Sequence, residues 1–284
     1  VAQYSMQTLA QFVWLINNKA LFSRGMMMIF QFRRCISALF LLITLSAQAI
    51  EDRADVDPND TLDPGEIISW KITASRYADS ESGPSHDLNL RGNTKNFAFW
   101  LGHYEQRQVF LQTRIGFEYS QDLPLGRLIS SLQIATEGFQ GWSLTWDGKK
   151  TGERGLGPLI GISRTNLKPY YNLNFDPNDA ILLGGTFSSS SSGKFSLYQI
   201  ADDRLHTGQK VTHLVWRRSL FGDKRITLDL FHRSGANAPG EMLYRGLGVT
   251  GTLDVNDWFV RFGKDSNANF TPGDIIRIAF GYRY

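Results

Sequence analysis

One cysteine in 284 residues, Cys35, rules out an intramolecular disulfide and a site built from several thiolates. No apolar run approaches the roughly 20 residues a spanning helix needs; Ile36–Leu45 is only about half that length. No segment keeps a long 3.6-residue period, so extended helices are not expected. Charge is nearly balanced, with a net +3 and a pI near 8.9. There is no concentrated basic stripe or recognisable module, so nucleic acid is not an expected partner. His86, His103, His206 and His213 are scattered, with no His-x-x-x-His spacing that would hold a metal. Gly152–Gly157 lacks a strand-to-helix context and reads as a turn, not a phosphate loop. No internal repeat is present.

What the chain does have begins with an export pattern. Arg33 and Arg34 precede the apolar run, and Ala47-Gln48-Ala49 follows it. A charged region, a short apolar stretch and a small-residue site make a secretory signal peptide. The expectation is a signal over residues 26–49, starting at Met26, Met27 or Met28, with cleavage after Ala49. Residues 1–25 then read as an upstream stretch outside the fold. Cys35 falls inside the signal, and no cysteine follows the cleavage site to take a lipid anchor. Residues 50–66 are acidic and rich in turn formers and read as a flexible lead-in.

From 67 to 284 the chain alternates apolar and polar residues in short runs separated by turn signals, which is an all-β pattern. Strands are predicted near 67–77, 96–104, 109–119, 126–136, 140–147, 157–164, 180–187, 194–202, 209–219, 225–233, 243–252, 257–263 and 275–284. The last is the clearest. Ile276, Ile278, Phe280, Tyr282 and Tyr284 share one face, while Arg277, Ala279, Gly281 and Arg283 share the other. The polar faces carry Gly, Ala, Thr and Arg more than the Lys and Glu of a soluble sheet. Trp and Tyr sit near segment ends.

A terminal strand of this kind resembles that of Gram-negative outer-membrane β-barrel proteins. The resemblance implies an all-β, antiparallel, up-and-down transmembrane β-barrel with apolar residues toward lipid and polar residues in a wet lumen. Thirteen candidate segments conflict with the even strand number of such barrels, so twelve strands are expected, with ten or fourteen as the neighbouring counts. It also implies the outer membrane as location, outer-membrane lipids as surroundings, and periplasmic chaperones and barrel-assembly machinery as partners. The inward set would be Arg114, Glu118, Arg225, Asp229, Arg233, Arg261, Arg277 and Arg283. That excess of arginine suits a small anion-tolerant channel, or a filled structural barrel.

Two further patterns bear on function. His232 and Ser234 lie two apart at the end of a strand, with Glu241 beyond the next connection. The arrangement is similar to the His-x-Ser of lipid A 3-O-deacylases and outer-membrane phospholipases. That resemblance implies Ser234 as nucleophile, His232 as base, and Glu241 or Asn237 as orienting group. Gly235 stands where both families have Asn, and the spacing to the third member differs. Separately, Asn172, Asn174, Asp176 and Asp179 are spaced like Ca²⁺ ligands, though Pro177 replaces the expected Gly and no cofactor is expected. Tyr170, Tyr171 and Phe175 there could form an exposed recognition loop. A surface-binding or assembly component using external loops is a third class of function.

Overall fold

A computed structural model describes residues 68–149, 152–171 and 175–284. The expected upstream stretch, signal and lead-in lie outside the described residues. Period-two alternation builds fourteen strands: β1 (Ser69–Asp79), β2 (Gly83–Asn93), β3 (Phe97–Gln106), β4 (Phe110–Leu123), β5 (Gly126–Ala135), β6 (Gln140–Asp147) and β7 (Gly155–Thr165). They continue as β8 (Ala180–Ser189), β9 (Gly193–Asp202), β10 (Lys210–Ser219), β11 (Lys224–Gly235), β12 (Tyr244–Val255), β13 (Trp258–Asp265) and β14 (Ile275–Arg283). Each strand pairs antiparallel with its chain neighbours. β14 returns to β1, from Lys71 opposite Arg283 to Asp79 opposite Ile275, and closes the barrel. Closure leaves no unpaired edge, as a sheet in hydrocarbon requires.

The count is therefore fourteen, not twelve. All thirteen predicted segments are strands, and the missing one is β2. Its outward positions carry only Leu88 and Leu90 as aliphatics between Pro84, His86 and Gly92. That face is too weak to register as alternation, and Gly83-Pro84 reads as a turn. Among the described residues the helical pieces are two 3₁₀ turns, Thr136–Gly138 and Ala268–Phe270.

The outer wall is apolar. Leu230 is 52% exposed, Phe262 50% and Phe280 61%, and Ile115, Leu183, Leu197 and Leu214 are exposed around the circumference. A continuous belt of this kind would aggregate in water and is at home in lipid. The two rims differ. At the end bearing Ser69 and Arg283, aromatic rings cluster outside: Trp258 against Tyr282 at 4.6 Å, Phe97 against Tyr119 at 4.9 Å, Trp70 against Phe99 at 5.3 Å. This is an aromatic girdle. The connections there are short, such as 94–96, 124–125, 190–192 and 256–257, whereas the opposite end carries 166–179, 203–209, 236–243 and 266–274. Short turns on the periplasmic side and longer loops outside are the general rule for such barrels.

Inward positions hold the buried polar residues, including Gln112, Arg114, Arg233 and Asp265. Room for the larger ones comes from glycines on neighbouring strands. A side chain at Gly102 would collide with the Arg114 guanidinium, and one at Gly248 with the Phe231 ring.

Candidate functional site: a lumen narrowed by an inward loop

The longest connection, 166–179 between β7 and β8, folds into the barrel at the end with the longer loops. Its described residues are fixed by side chains from the wall. Gln112, fully buried, donates through Nε2 to the Pro169 carbonyl (3.2 Å) and accepts at Oε1 from the Tyr171 amide (3.1 Å). The Tyr171 ring stacks on Tyr104 at 3.7 Å and meets Tyr77 edge-on at 5.8 Å. Tyr170 stacks on Phe139 at 4.2 Å, and its hydroxyl accepts from Gln133. Phe175 packs with Tyr77, Tyr104, Ala268 and Ile275. Its φ of +60° is unusual for a bulky residue and costs about 1–2 kcal/mol. The buried ring offsets that strain. Burial pushes the hydroxyls of Tyr170 and Tyr171 above the usual tyrosine range, so both stay neutral at physiological pH.

The expectation of an exposed recognition loop is thus corrected. Tyr170, Tyr171 and Phe175 are anchors facing the barrel interior, because the wide lumen of a fourteen-strand barrel offers them aromatic partners. Asp176 and Asp179 are engaged too. Asp176 accepts from His213 Nε2 (3.0 Å), whose Nδ1 lies 3.0 Å from Asp229. Asp179 accepts from the Thr165 amide and hydroxyl and pairs with Arg204 at 2.9 Å. Asn172 and Asn174 lie outside the described residues. Among the described residues no group of three or more His, Cys, Asp or Glu side chains is placed to hold a metal.

Below the loop, a cavity of about 290 Å³ opens between Phe175, Asp176, His213 and the wall of β10–β14. A larger groove of about 530 Å³ lies on the outer face between Leu156, Leu183, Phe187 and Leu214, within the apolar belt, and is no place for a polar solute.

All eight predicted lumen residues occupy inward positions, and most are neutralised. Arg114 pairs with Asp87 at 2.5 Å, Arg233 with Asp265 at 2.5 Å, and Glu118 with Arg91 at 3.2 Å. Asp254 takes both Arg225, at 3.3 Å, and Arg283. Arg277 donates to the Thr250 hydroxyl at 3.4 Å. Arg261 differs. It donates to the Thr252 hydroxyl at 3.0 Å and lies over the Phe259 ring, and among the described residues no carboxylate pairs with it. Arg217, Arg261 and Arg277 all line the cavity. Asp87, Tyr77, Tyr104 and His213 are site residues that sequence reasoning missed. Asp87 sits on the unrecognised β2. A period-two reading of β1 and β3 would have turned Tyr77 and Tyr104 inward.

His232 and Ser234 fall on the outer wall, His232 exposed and Ser234 half-buried. Among the described residues no hydrogen bond joins the His232 ring to Ser234, nor either of them to the exposed Glu241. The structure places the three at one rim without linking them into a relay. Asn237 is exposed in the same connection.

The class that this fold defines is the closed, antiparallel β-barrel of the outer-membrane type. The chain is similar in structure to the Acinetobacter baumannii outer membrane protein Omp33, with a TM-score of 0.52 at 8% identity, covering 76% of this chain and 98% of that one. Weaker likenesses reach the NanC porin (TM-score 0.40, 9% identity, 74% and 98% covered) and a mutant of the Rh. blastica porin (TM-score 0.42, 9% identity, 77% and 100% covered). No family model and no curated protein matches the chain. At such identity the likeness to Omp33 speaks for the fold alone.

Proposed function

We propose that this chain is an outer-membrane channel for small solutes that favours anions, made with a signal over 26–49 and delivered by periplasmic chaperones to the barrel-assembly machinery. The observation that carries the reading is the cavity beneath the 166–179 loop, where Arg261 faces the lumen with a hydroxyl and a ring for partners and no carboxylate. Toward the short-turn end, β10–β14 and β1 turn Lys71, Arg217, Arg225, Arg261 and Arg283 inward, against Asp229 and Asp254 as the inward acids of those strand halves. A wall with excess positive charge concentrates anions at its surface and excludes cations. The inward loop limits what passes to small solutes.

Liposome swelling tests this with the purified barrel. Gluconate salts should enter faster than salts of an organic cation of equal size. Arg261→Gln together with Arg277→Gln should cut that preference by about threefold or more while neutral sugars enter as before. Equal entry of both salts into wild-type liposomes, or no swelling at all, would overturn the reading.

A further inference from the structure

The sheet register assembles a second group of residues on the outer wall, at the rim with the longer loops. Lys210 on β10 stands directly opposite Ser234 on β11, and Ser234 stands directly opposite Arg245 on β12. All three point outward, since their chain neighbours Val211, Arg233 and Gly246 are buried on the lumen side. Adjacent strands are about 4.8 Å apart, so Lys210 and Arg245 rise on either side of the Ser234 hydroxyl with their Cα atoms about 10 Å apart. His232 lies one step below on the same face, opposite Thr212 and Leu247. Lys264 projects outward two strands from β11, opposite Val249. Lys210, His232, Arg245 and Lys264 are all exposed, and among the described residues none has an ion-pair partner.

This cationic group does not continue into a charged surface. Directly beneath it on the same strands are Leu214, Leu230, Leu247, Val249, Val260 and Phe262, all exposed. Lys and Arg on a lipid-facing wall are strongly unfavourable at the bilayer midplane and nearly neutral near the interface. They are tolerated at a rim where their heads reach the head-group layer. The opposite rim carries the ring girdle, and its outward cations on these strands, Arg218 and Lys224, do not face each other across a shared hydroxyl. A guanidinium, an ammonium and a hydroxyl side by side on three neighbouring strands, over an apolar wall, suit a molecule with an anionic phosphate head and hydrocarbon tails.

We propose that Lys210, Ser234 and Arg245, with His232 beneath, form a docking site for the phosphate head group of an outer-leaflet lipid, whose acyl chains lie along the wall of β10–β13. The His-x-Ser pair is on this view part of a lipid-recognition surface. Ser234 donates its hydroxyl to a phosphate oxygen and breaks no bond. The inference needs the barrel to sit in a membrane but is independent of whether its lumen conducts.

The test is lipid retention by the purified barrel in detergent, read by native mass spectrometry. Three probes are compared: bisphosphorylated lipid A, the same lipid enzymatically dephosphorylated, and inorganic phosphate as competitor. Wild type should hold bisphosphorylated lipid A at least about tenfold more tightly than the dephosphorylated form, and Lys210→Gln with Arg245→Gln should remove that difference. Both substitutions are at exposed positions, and retention of the heat-modifiable folded band reports that the variant still forms a barrel. Ser234→Ala should weaken retention less, and acyl chains should stay intact in every sample. Equal binding of the two lipids, retention unchanged by the double substitution, or displacement by millimolar inorganic phosphate would each overturn the proposal. The last would mark the site as one for free phosphate.

Discussion

At the residue scale, the interior is organised by arginines whose neighbours decide their roles. Arg233 is fully buried, pairs with Asp265 at 2.5 Å, and lies within 6 Å of the rings of Phe175, Phe231 and Phe270. Such a charge is held by its partner and by the faces of the rings. Removing one member strands the other, so Asp265→Asn should destabilise the barrel by about 3–5 kcal/mol, while replacing both by leucine should be far milder. Urea unfolding in lipid vesicles, followed by Trp fluorescence, measures both. A single-site effect under 1 kcal/mol, within the usual range for surface substitutions, would mean that the pair is hydrated and not structural. Arg261 is the counter-example. With Thr252 and Phe259 as its partners, its charge remains available to the lumen.

At the element scale, the 166–179 loop turns a wide barrel into a narrow one. It is held by Tyr170 on Phe139, by Tyr171 between Tyr104 and Tyr77, and by Phe175 near Arg233, with Gln112 and the Asp176–His213 contact as polar ties. Burial of a ring contributes about 3–5 kcal/mol, judged by truncation to alanine. Tyr171→Ala with Phe175→Ala should therefore free the loop and raise single-channel conductance by about twofold or more. Unchanged conductance would place the constriction elsewhere. The loop also shows where sequence reasoning stopped. Alternation located thirteen strands because each apolar face is written locally, in side chains two apart. It failed at β2, where the outward face holds Leu88 and Leu90 among polar and small residues. Whether a loop folds in or out depends on what faces it across the lumen, here Gln112, Gln133 and Tyr104 from strands far away in the chain. No local pattern carries that information. The same holds for the pairing of Arg114 with Asp87, and for the meeting of Lys210, Ser234 and Arg245, which needs the register of three strands.

At the scale of the whole molecule, two walls of opposite chemistry follow from one alternation: an apolar belt with a ring girdle outside, and arginine, aspartate and tyrosine within. Full closure follows from the requirement that no backbone group be left unpaired against lipid, and the even strand count lets the closing pair of β14 with β1 be antiparallel like the rest. The proposed function requires that this closed barrel conduct and that its inward arginines set which ions pass. The most direct measurement is the reversal potential of the purified barrel in a planar bilayer under a tenfold KCl gradient. An anion-favouring channel gives discrete conductance steps with a reversal potential on the chloride side of zero, moving toward zero in Arg261→Gln with Arg277→Gln. A reversal potential on the potassium side, or a barrel that inserts and never conducts, would contradict it.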